Sequence, residues 1–85
     1  MKHAGSAALD GIEDLLDTLR QMGRMTERRR GIFYWRSAAC LHFHEDSTEI
    51  FADLKCDGEW IRLPVATASD RRALVAKVRS TLESP

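Results

Sequence analysis

The segment CLHFHEDSTEIFADLKCDGEWIRL, residues 40–63, alternates apolar and polar side chains through most of its length. A period of two is typical of β-strands that bury one face, and two polar interruptions divide this segment into three such strands. The first interruption, residues 45–48, is interpreted as a four-residue loop. The second, Asp57-Gly58, is the dipeptide most typical of two-residue hairpins. The segment therefore predicts an antiparallel meander.

The two turns determine the strand register independently of each other. The first loop would pair His44 with Glu49, and the second turn would pair Cys56 with Glu59. Both registers place apolar residues on one face: Leu41, Phe43, Ile50, Ala52, Leu54, Ile61, Leu63 and Val65. A slip of one residue would scatter this set over both faces. We therefore predict that this face forms the core.

Helical patterns flank the strands on both sides. Apolar residues over 9–22 recur three and four positions apart, which predicts an amphipathic helix with Ser6 as its N-cap. Residues 67–70 form a capping-box pattern, after which a second helix is predicted to run to about Leu82. Residues 24–31 are polar and basic, and we interpret them as a connection.

Residues 32–35, with the sequence IFYW, favour an extended strand because they are aromatic or β-branched. The sequence leaves open whether this strand is separate or continues into 38–44. The predicted fold class is α+β, a two-layer α-β-β-β-α arrangement in which two helices cover one face of the antiparallel meander. We expect a single domain over residues 1–85, with 1–5 and 84–85 disordered.

Composition and charge argue against several classes of protein. Thirteen lysines and arginines balance thirteen acids, whereas general nucleic-acid and membrane-surface binders are usually basic. The first residues, MKHAGS, lack the apolar run of a signal peptide, and no stretch is long and apolar enough for a membrane span. Two cysteines are too few for a disulfide framework. We therefore expect a cytoplasmic bacterial protein with reduced thiols and no membrane partner.

The charges are unevenly distributed along the chain. Residues 20–36 contain six arginines and one acid, a net charge of +5, and residues 45–59 contain six acids and one lysine, a net charge of −5. Opposite patches of this kind can attract copies of the same chain. The alternative is that both segments are simply solvated surface.

The sheet face opposite the core carries any function that the sequence supports. In the predicted register it presents Cys40, His42, His44, Glu49, Phe51, Asp53, Lys55, Trp60, Arg62 and Pro64, with Tyr34 nearby. The aromatic rings of Phe51 and Trp60 on a solvent face indicate an interaction surface. We predict a homodimer or a small protein partner bound through Phe51, Trp60, His42, Tyr34 and Arg62. One alternative is that residues 24–30 cover the two rings, and the other is that the two rings are simply exposed to solvent.

A metal site is the alternative function for the same face. His42 and His44 are two apart on one strand, so both imidazoles point the same way. Glu49 lies across the predicted hairpin, and zinc accepts imidazole together with oxygen or sulfur ligands. We therefore predict His42, His44 and Glu49 as the ligands of a possible zinc ion, with Cys40 and Asp53 on the same face. No other cofactor is expected.

No catalytic residues are predicted, and we do not expect an enzyme. Cys40 and His42 could form a nucleophile and base, but no third group orients them. The helix, three strands, helix order resembles that of double-stranded RNA-binding domains, which implies a basic start to the last helix, where Arg71 and Arg72 lie. The loop at 45–48 is acidic where phosphate would approach, so nucleic acid is not the expected partner.

Overall fold

The computed structural model describes residues 2–83. Its elements in chain order are β1 (Lys2–His3), α1 (Ser6–Asp10), α2 (Glu13–Gln21), β2 (Thr26–Arg29), β3 (Ile32–Trp35), β4 (Ala38–Asp46), β5 (Glu49–Cys56), β6 (Glu59–Pro64) and α3 (Ala68–Glu83). Strands β2 to β6 form an antiparallel meander in sequence order, and β1 pairs with the C-terminal part of β4 at His44 and Glu45. Among residues 2–83, no helix has the length and apolar content needed to cross a membrane.

The predicted fold class is confirmed. The protein is α+β, with an antiparallel meander on which the C-terminal helix packs. The second hairpin has the predicted register, in which Cys56 pairs with Glu59. Its turn residues Asp57 and Gly58 have φ angles of 51° and 82°, as a two-residue hairpin of this type requires.

The first hairpin differs from the prediction by two residues. Asp46 pairs with Glu49, so the turn is Ser47-Thr48 instead of a four-residue loop, and Ser47 adopts a φ of 56°. His44 consequently pairs with Phe51 and not with Glu49. Because side chains alternate with a period of two, a shift of two residues leaves the paired side chains of residues 41–46 and 49–54 on their predicted faces.

The sheet contains more strands than the sequence predicts. Residues 26–29 form the edge strand β2, so the interpretation of 24–31 as a connection is wrong. Residues 32–35 are a separate strand, because Arg36 and Ser37 both have positive φ and reverse the chain. At the N-terminus, where disorder is expected, Lys2–His3 form β1. Residues 84–85 lie outside the described residues.

The first predicted helix is interrupted. The chain leaves helical geometry at Gly11-Ile12, which divides the segment into α1 and α2. The N-cap position of α1 is Gly5 and not Ser6. The predicted capping box before α3 is present: the Asp70 amide donates to Thr67 Oγ1 at 3.0 Å, and the Thr67 amide donates to Asp70 Oδ2 at 3.1 Å.

The core lies between the helices and one face of the sheet. Its buried apolar residues are Leu9, Ile12, Leu15, Leu16, Leu19, Phe33, Cys40, Leu41, Phe43, Ala52, Leu54, Val65, Leu74, Val78 and Leu82. All eight residues of the predicted core face belong to this cluster or pack against it. The opposite sheet face is therefore left uncovered by the helices.

An ion-pair network ties the edge strand β2 to the helices. The Arg20 guanidinium binds Glu13 and Asp17 on α2 and Glu27 on β2. Glu27 also accepts a hydrogen bond of 2.8 Å from the Gly31 amide. Arg30 extends the network by contacting Glu13. These contacts fix the position of a strand that has little apolar surface of its own.

Gly31 is the position where a glycine is most necessary. Its φ is 80°, and an added Cβ would lie 2.8 Å from Leu9 Cδ2. We expect Gly31→Ala to cost about 2–3 kcal/mol of unfolding free energy, of which roughly 1–2 kcal/mol is left-handed backbone strain. Gly23 is the matched control, because its φ is 73° but an added Cβ would meet nothing within 4 Å. If urea denaturation gave equal losses of unfolding free energy for Gly31→Ala and Gly23→Ala, the Leu9 side chain would not pack closely enough on Gly31 to exclude a methyl group.

Candidate functional site

The uncovered side of the sheet is here called the histidine face. Strand alternation and pairing place on it Tyr34, His42, His44, Glu49, Phe51, Asp53, Lys55, Trp60, Arg62 and Pro64. His42 and His44 alternate along β4 with the buried residues Leu41 and Phe43, which face the helices. The sequence analysis predicted these residues on this face, with Tyr34 nearby. It also placed Cys40 there, and that prediction is wrong, as described below.

Three histidine rings converge on this face. The ring centroids of His42 and His44 lie 4.7 Å apart, and those of His3 lie 5.4 Å from His42 and 4.6 Å from His44. One ring nitrogen from each residue lies within 4.8 Å of the others. The two strand histidines lean towards each other, because alternate residues on a strand are otherwise about 6–7 Å apart.

Strand β1 brings His3 to this cluster. His3 pairs with His44 across the β1–β4 ladder, and the Ala4 amide donates to the Phe43 carbonyl at 2.9 Å. Glu45 holds the next residue, because its Oε2 accepts a hydrogen bond of 2.6 Å from the Gly5 amide. The sequence analysis missed His3, since a two-residue strand has no periodicity to detect. The signal that could have found it is that the chain has only three histidines.

A buried carboxylate supports the cluster. Asp53 is 6% exposed and accepts hydrogen bonds of 2.8 and 3.0 Å from the Arg62 guanidinium. This pairing holds the pKa of Asp53 below its usual range, so the group is ionised at neutral pH. Asp53 Oδ2 also lies 2.8 Å from His44 Nδ1, although no hydrogen bond joins the two atoms in the described structure.

His42 is held in its neutral form. Burial lowers its pKa, and the neighbouring His44 lowers it further. The ring of Trp60 packs against it with a centroid separation of 4.6 Å. A neutral imidazole has a free lone pair, which is the form that binds a metal ion.

The predicted interface residues differ in exposure. Trp60 is 45% exposed, and every other large hydrophobic side chain among residues 2–83 is more buried. Phe51 and Tyr34 are half-buried, and the Arg28 guanidinium lies over the Tyr34 ring at 4.4 Å. Residues 24–30 extend the sheet edge and leave Trp60 uncovered. The structure therefore places an exposed aromatic ring beside the histidine cluster.

The predicted metal ligands are only partly brought together. His42 and His44 belong to the cluster, whereas Glu49 pairs with Asp46 at the end of the hairpin and is not part of it. The prediction relied on pairing His44 with Glu49, and the observed register removes that pairing. His3 occupies the third place instead.

Cys40 is not on the histidine face, contrary to the prediction. Phe33 pairs with Leu41 and Tyr34 pairs with Ala39, so Cys40 is the extra residue of a β-bulge. It is 7% exposed and lies in the core, where burial raises the pKa of its thiol to about 11. A nucleophilic pair with His42 is therefore ruled out. Cys40 and Cys56 are both free thiols, and both lie in or against the core, although the sequence analysis placed Cys40 on the opposite face.

The charges of the sheet are divided between its two sides. In the part of the chain that the structure describes, four of the six arginines in residues 20–36 have no carboxylate within 4 Å, and five of the six acids in residues 45–59 have no cation within that distance. The arginines are Arg24, Arg28, Arg29 and Arg36, on or near β2 and β3, and the acids are Glu45, Asp46, Glu49, Asp57 and Glu59, at the ends of β4, β5 and β6. The charge separation predicted from sequence thus persists after internal pairing: the four arginines give a net charge of +4, and the five acids together with Lys55 give −4.

The resemblance in element order to double-stranded RNA-binding domains does not hold. The described chain has five meander strands and a divided first helix, in place of three strands between two helices. Arg71, one of the two residues that would serve phosphate, donates to the Val65 carbonyl at 2.8 Å. No family model matches the chain, and no curated protein or solved structure matches it either.

Proposed function

We propose that this chain is a small self-associating protein whose histidine face binds the same face of a second copy. The observation that carries the proposal is the separation of charge across the sheet. Unpaired arginines lie at one side and unpaired acids at the other, and the histidine face bears the exposed Trp60. Trp60 is the kind of residue that anchors protein interfaces, because it buries a large area at low entropic cost. An exposed ring next to half-buried aromatics marks a surface that gains from being covered.

The strand order supports a two-fold arrangement. The sheet order is β2-β3-β4-β5-β6, so β4 is central and the two sides are β2 and β6. Two sheets that pack face to face about a two-fold axis along β4 place β2 of one copy over β6 of the other. The arginine side of each copy then lies over the side of its partner whose strand ends carry the unpaired acids, of which Asp46 and Glu49 belong to the histidine face. The charge pattern is therefore self-complementary in this two-fold arrangement. Symmetric dimers are also the commonest oligomers.

Pairing through the sheet edges is less favourable. At one edge, two β2 strands would bring Arg28 and Arg29 of both copies together, and like charges in contact cost energy. At the other edge, Pro64 lacks an amide hydrogen and cannot donate to a new ladder. The face is therefore the favoured surface.

The size of the face sets the expected affinity. Five strands about 4.8 Å apart and about six residues long give a face of roughly 24 by 20 Å, or about 500 Å² per copy. A total of about 1,000 Å² is at the lower end for specific interfaces. We therefore expect a reversible dimer with a micromolar or weaker dissociation constant.

Sedimentation velocity on untagged protein in EDTA tests this proposal. Between micromolar and near-millimolar protein the average mass should rise from that of one chain towards that of two, and molar salt should reduce the effect. Trp60→Glu should weaken association by about 30-fold or more, as expected for an anchoring tryptophan. Ala73→Glu is the matched control, because it adds the same charge at an exposed position on α3.

A charge exchange identifies the contacting sides. Arg28→Glu and Glu49→Arg, both on the histidine face, should each weaken association by about tenfold through like-charge repulsion, and the double variant should recover most of the loss. A protein that stays a single chain at the highest concentration would overturn the proposal. So would a Trp60→Glu variant that associates like the wild type.

A further inference from the structure

All three histidines of the chain meet at one place on the histidine face. The sequence contains three, and one ring nitrogen from each of His3, His42 and His44 lies within 4.8 Å of the others. Two of them are two residues apart on β4, but His3 comes from a separate strand 39 positions earlier in the chain. The grouping is therefore produced by the fold and does not reflect a local histidine-rich sequence.

Two of the ring nitrogens have no hydrogen-bond partner in the described structure. These are His42 Nδ1 and His44 Nδ1, both buried. Buried polar atoms in folded proteins nearly always have partners. A metal ion would use the unoccupied lone pair of His42 Nδ1, whereas His44 Nδ1 lies beside Asp53 and His44 would coordinate through its other ring nitrogen.

Asp53 gives His44 the support that metal-binding histidines usually have. Its Oδ2 lies 2.8 Å from His44 Nδ1, and the Arg62 guanidinium holds the carboxylate in place. A carboxylate beside one ring nitrogen favours the proton there and leaves the other nitrogen free for an ion. Such second partners orient the ring and increase its basicity.

The spacing of the rings suits a small tetrahedral ion after a modest adjustment. Ligand nitrogens at about 2.0–2.1 Å from zinc are about 3.4 Å apart in a tetrahedron. The nitrogens of the cluster need to approach each other by up to about 1.4 Å from their 4.8 Å limit. His3 can make most of this movement, because it is exposed and lies on the two-residue strand β1.

We propose that His3, His42 and His44 bind a zinc ion, with the fourth tetrahedral position open to solvent. Imidazole ligands select zinc and its late first-row neighbours, whereas magnesium and calcium require oxygen ligands. Three protein ligands with one open position form the arrangement of zinc sites that exchange their fourth ligand. The site does not depend on the proposed dimer, since all three ligands come from one chain.

Isothermal titration of untagged protein with zinc chloride is the direct test, run at micromolar protein where the chain is expected to be monomeric. We expect one zinc ion per chain, and magnesium should give no signal. Proton NMR provides a second measurement, because the chain has only three histidines. Their ring resonances should shift together at one equivalent of zinc. Substitution by cobalt(II) should produce the visible absorption band of a tetrahedral site.

His3→Ala is the cleanest variant, because His3 is exposed and packs outside the core. Loss of a supporting residue around a metal site already costs about 10–100-fold in affinity, so loss of a ligand should cost about 100-fold or more. His42→Ala and His44→Ala should behave alike. Glu49→Gln is the matched control, since Glu49 lies on the same face but outside the cluster, and its zinc affinity should equal that of the wild type.

Two results would overturn this proposal. One is a wild-type protein that retains no more zinc than a variant lacking all three histidines. The other is a His3→Ala variant that binds zinc as tightly as the wild type, because the ion would then lie elsewhere. Neither result would affect the sedimentation experiment in EDTA, so failure of the metal site and failure of self-association are distinguishable.

Discussion

Replacing Phe43 with alanine should lower the free energy of unfolding by about 3–5 kcal/mol. Phe43 is 2% exposed and lies on the central strand β4, on the side that faces the helices. Its removal would leave a cavity that the surrounding strands and helices cannot fully close. Small domains have a total stability of about 5–15 kcal/mol, so this single change would remove a large part of it. Urea denaturation followed by tryptophan fluorescence measures the loss.

Phe51→Ala is the matched control for that prediction. The substitution is chemically identical, but Phe51 is half-buried on β5 and belongs to the histidine face. We expect a loss of about 1–2 kcal/mol in the free energy of unfolding, because folding removes less apolar surface from water at Phe51 than at Phe43. If both variants lost the same free energy, Phe51 would be as buried as Phe43, and the uncovered face on which both proposals depend would not exist.

The faces of the sheet were predictable even where the register was not. The two-residue error in the first hairpin leaves His44 on the same side as before, since side chains alternate with a period of two. What the error changes is the partner of each residue: Phe51 and not Glu49 lies opposite His44. A fold-level prediction therefore survives an error that removes a predicted ligand from a site.

The strand at residues 26–29 could not be found by pattern. Its sequence, TERR, has no apolar alternation, because an edge strand outside the core needs none. Its position depends on the contacts of Arg20 and Gly31 with Glu27, which join three separate elements. Side-chain contacts of this kind are determined by the assembled fold, so a single sequence does not show them.

The third histidine was missed for a related physical reason. Two residues of β1 contribute only two pairs to the sheet, and the Gly5 amide is held by Glu45, 40 residues away. Local propensity contributes little to such a strand, because pairing with β4 decides its conformation. Strand periodicity placed His42 and His44 side by side, but tertiary pairing supplied His3.

Asp53 links the stability of the sheet to the histidine cluster, and Asp53→Asn should affect both. The substitution keeps the volume and removes the charge, so Arg62 loses a charge-assisted pair. Hydrogen bonds to charged groups contribute about 1.5–3 kcal/mol. Because the Arg62 side chain is about half exposed, water compensates part of this loss, and we expect about 2 kcal/mol at neutral pH. Asp57→Asn is the control, since Asp57 is an exposed turn residue and asparagine suits its positive φ.

The pH dependence of this loss separates the charge of Asp53 from its packing. Arg62 lowers the pKa of Asp53 in the folded state, so the unfolded chain takes up the proton at a higher pH than the folded chain. The stability that Asp53 contributes is therefore fully present above about pH 4, near the unfolded pKa, and is lost as the pH falls through the lower folded value. Wild type and Asp53→Asn should differ at pH 7 and converge at strongly acidic pH. A difference that persists there would mean that asparagine packs badly and that the charge contributes little.

The same variant should bind zinc about 10–100-fold more weakly at neutral pH, because His44 would lose the carboxylate that orients it.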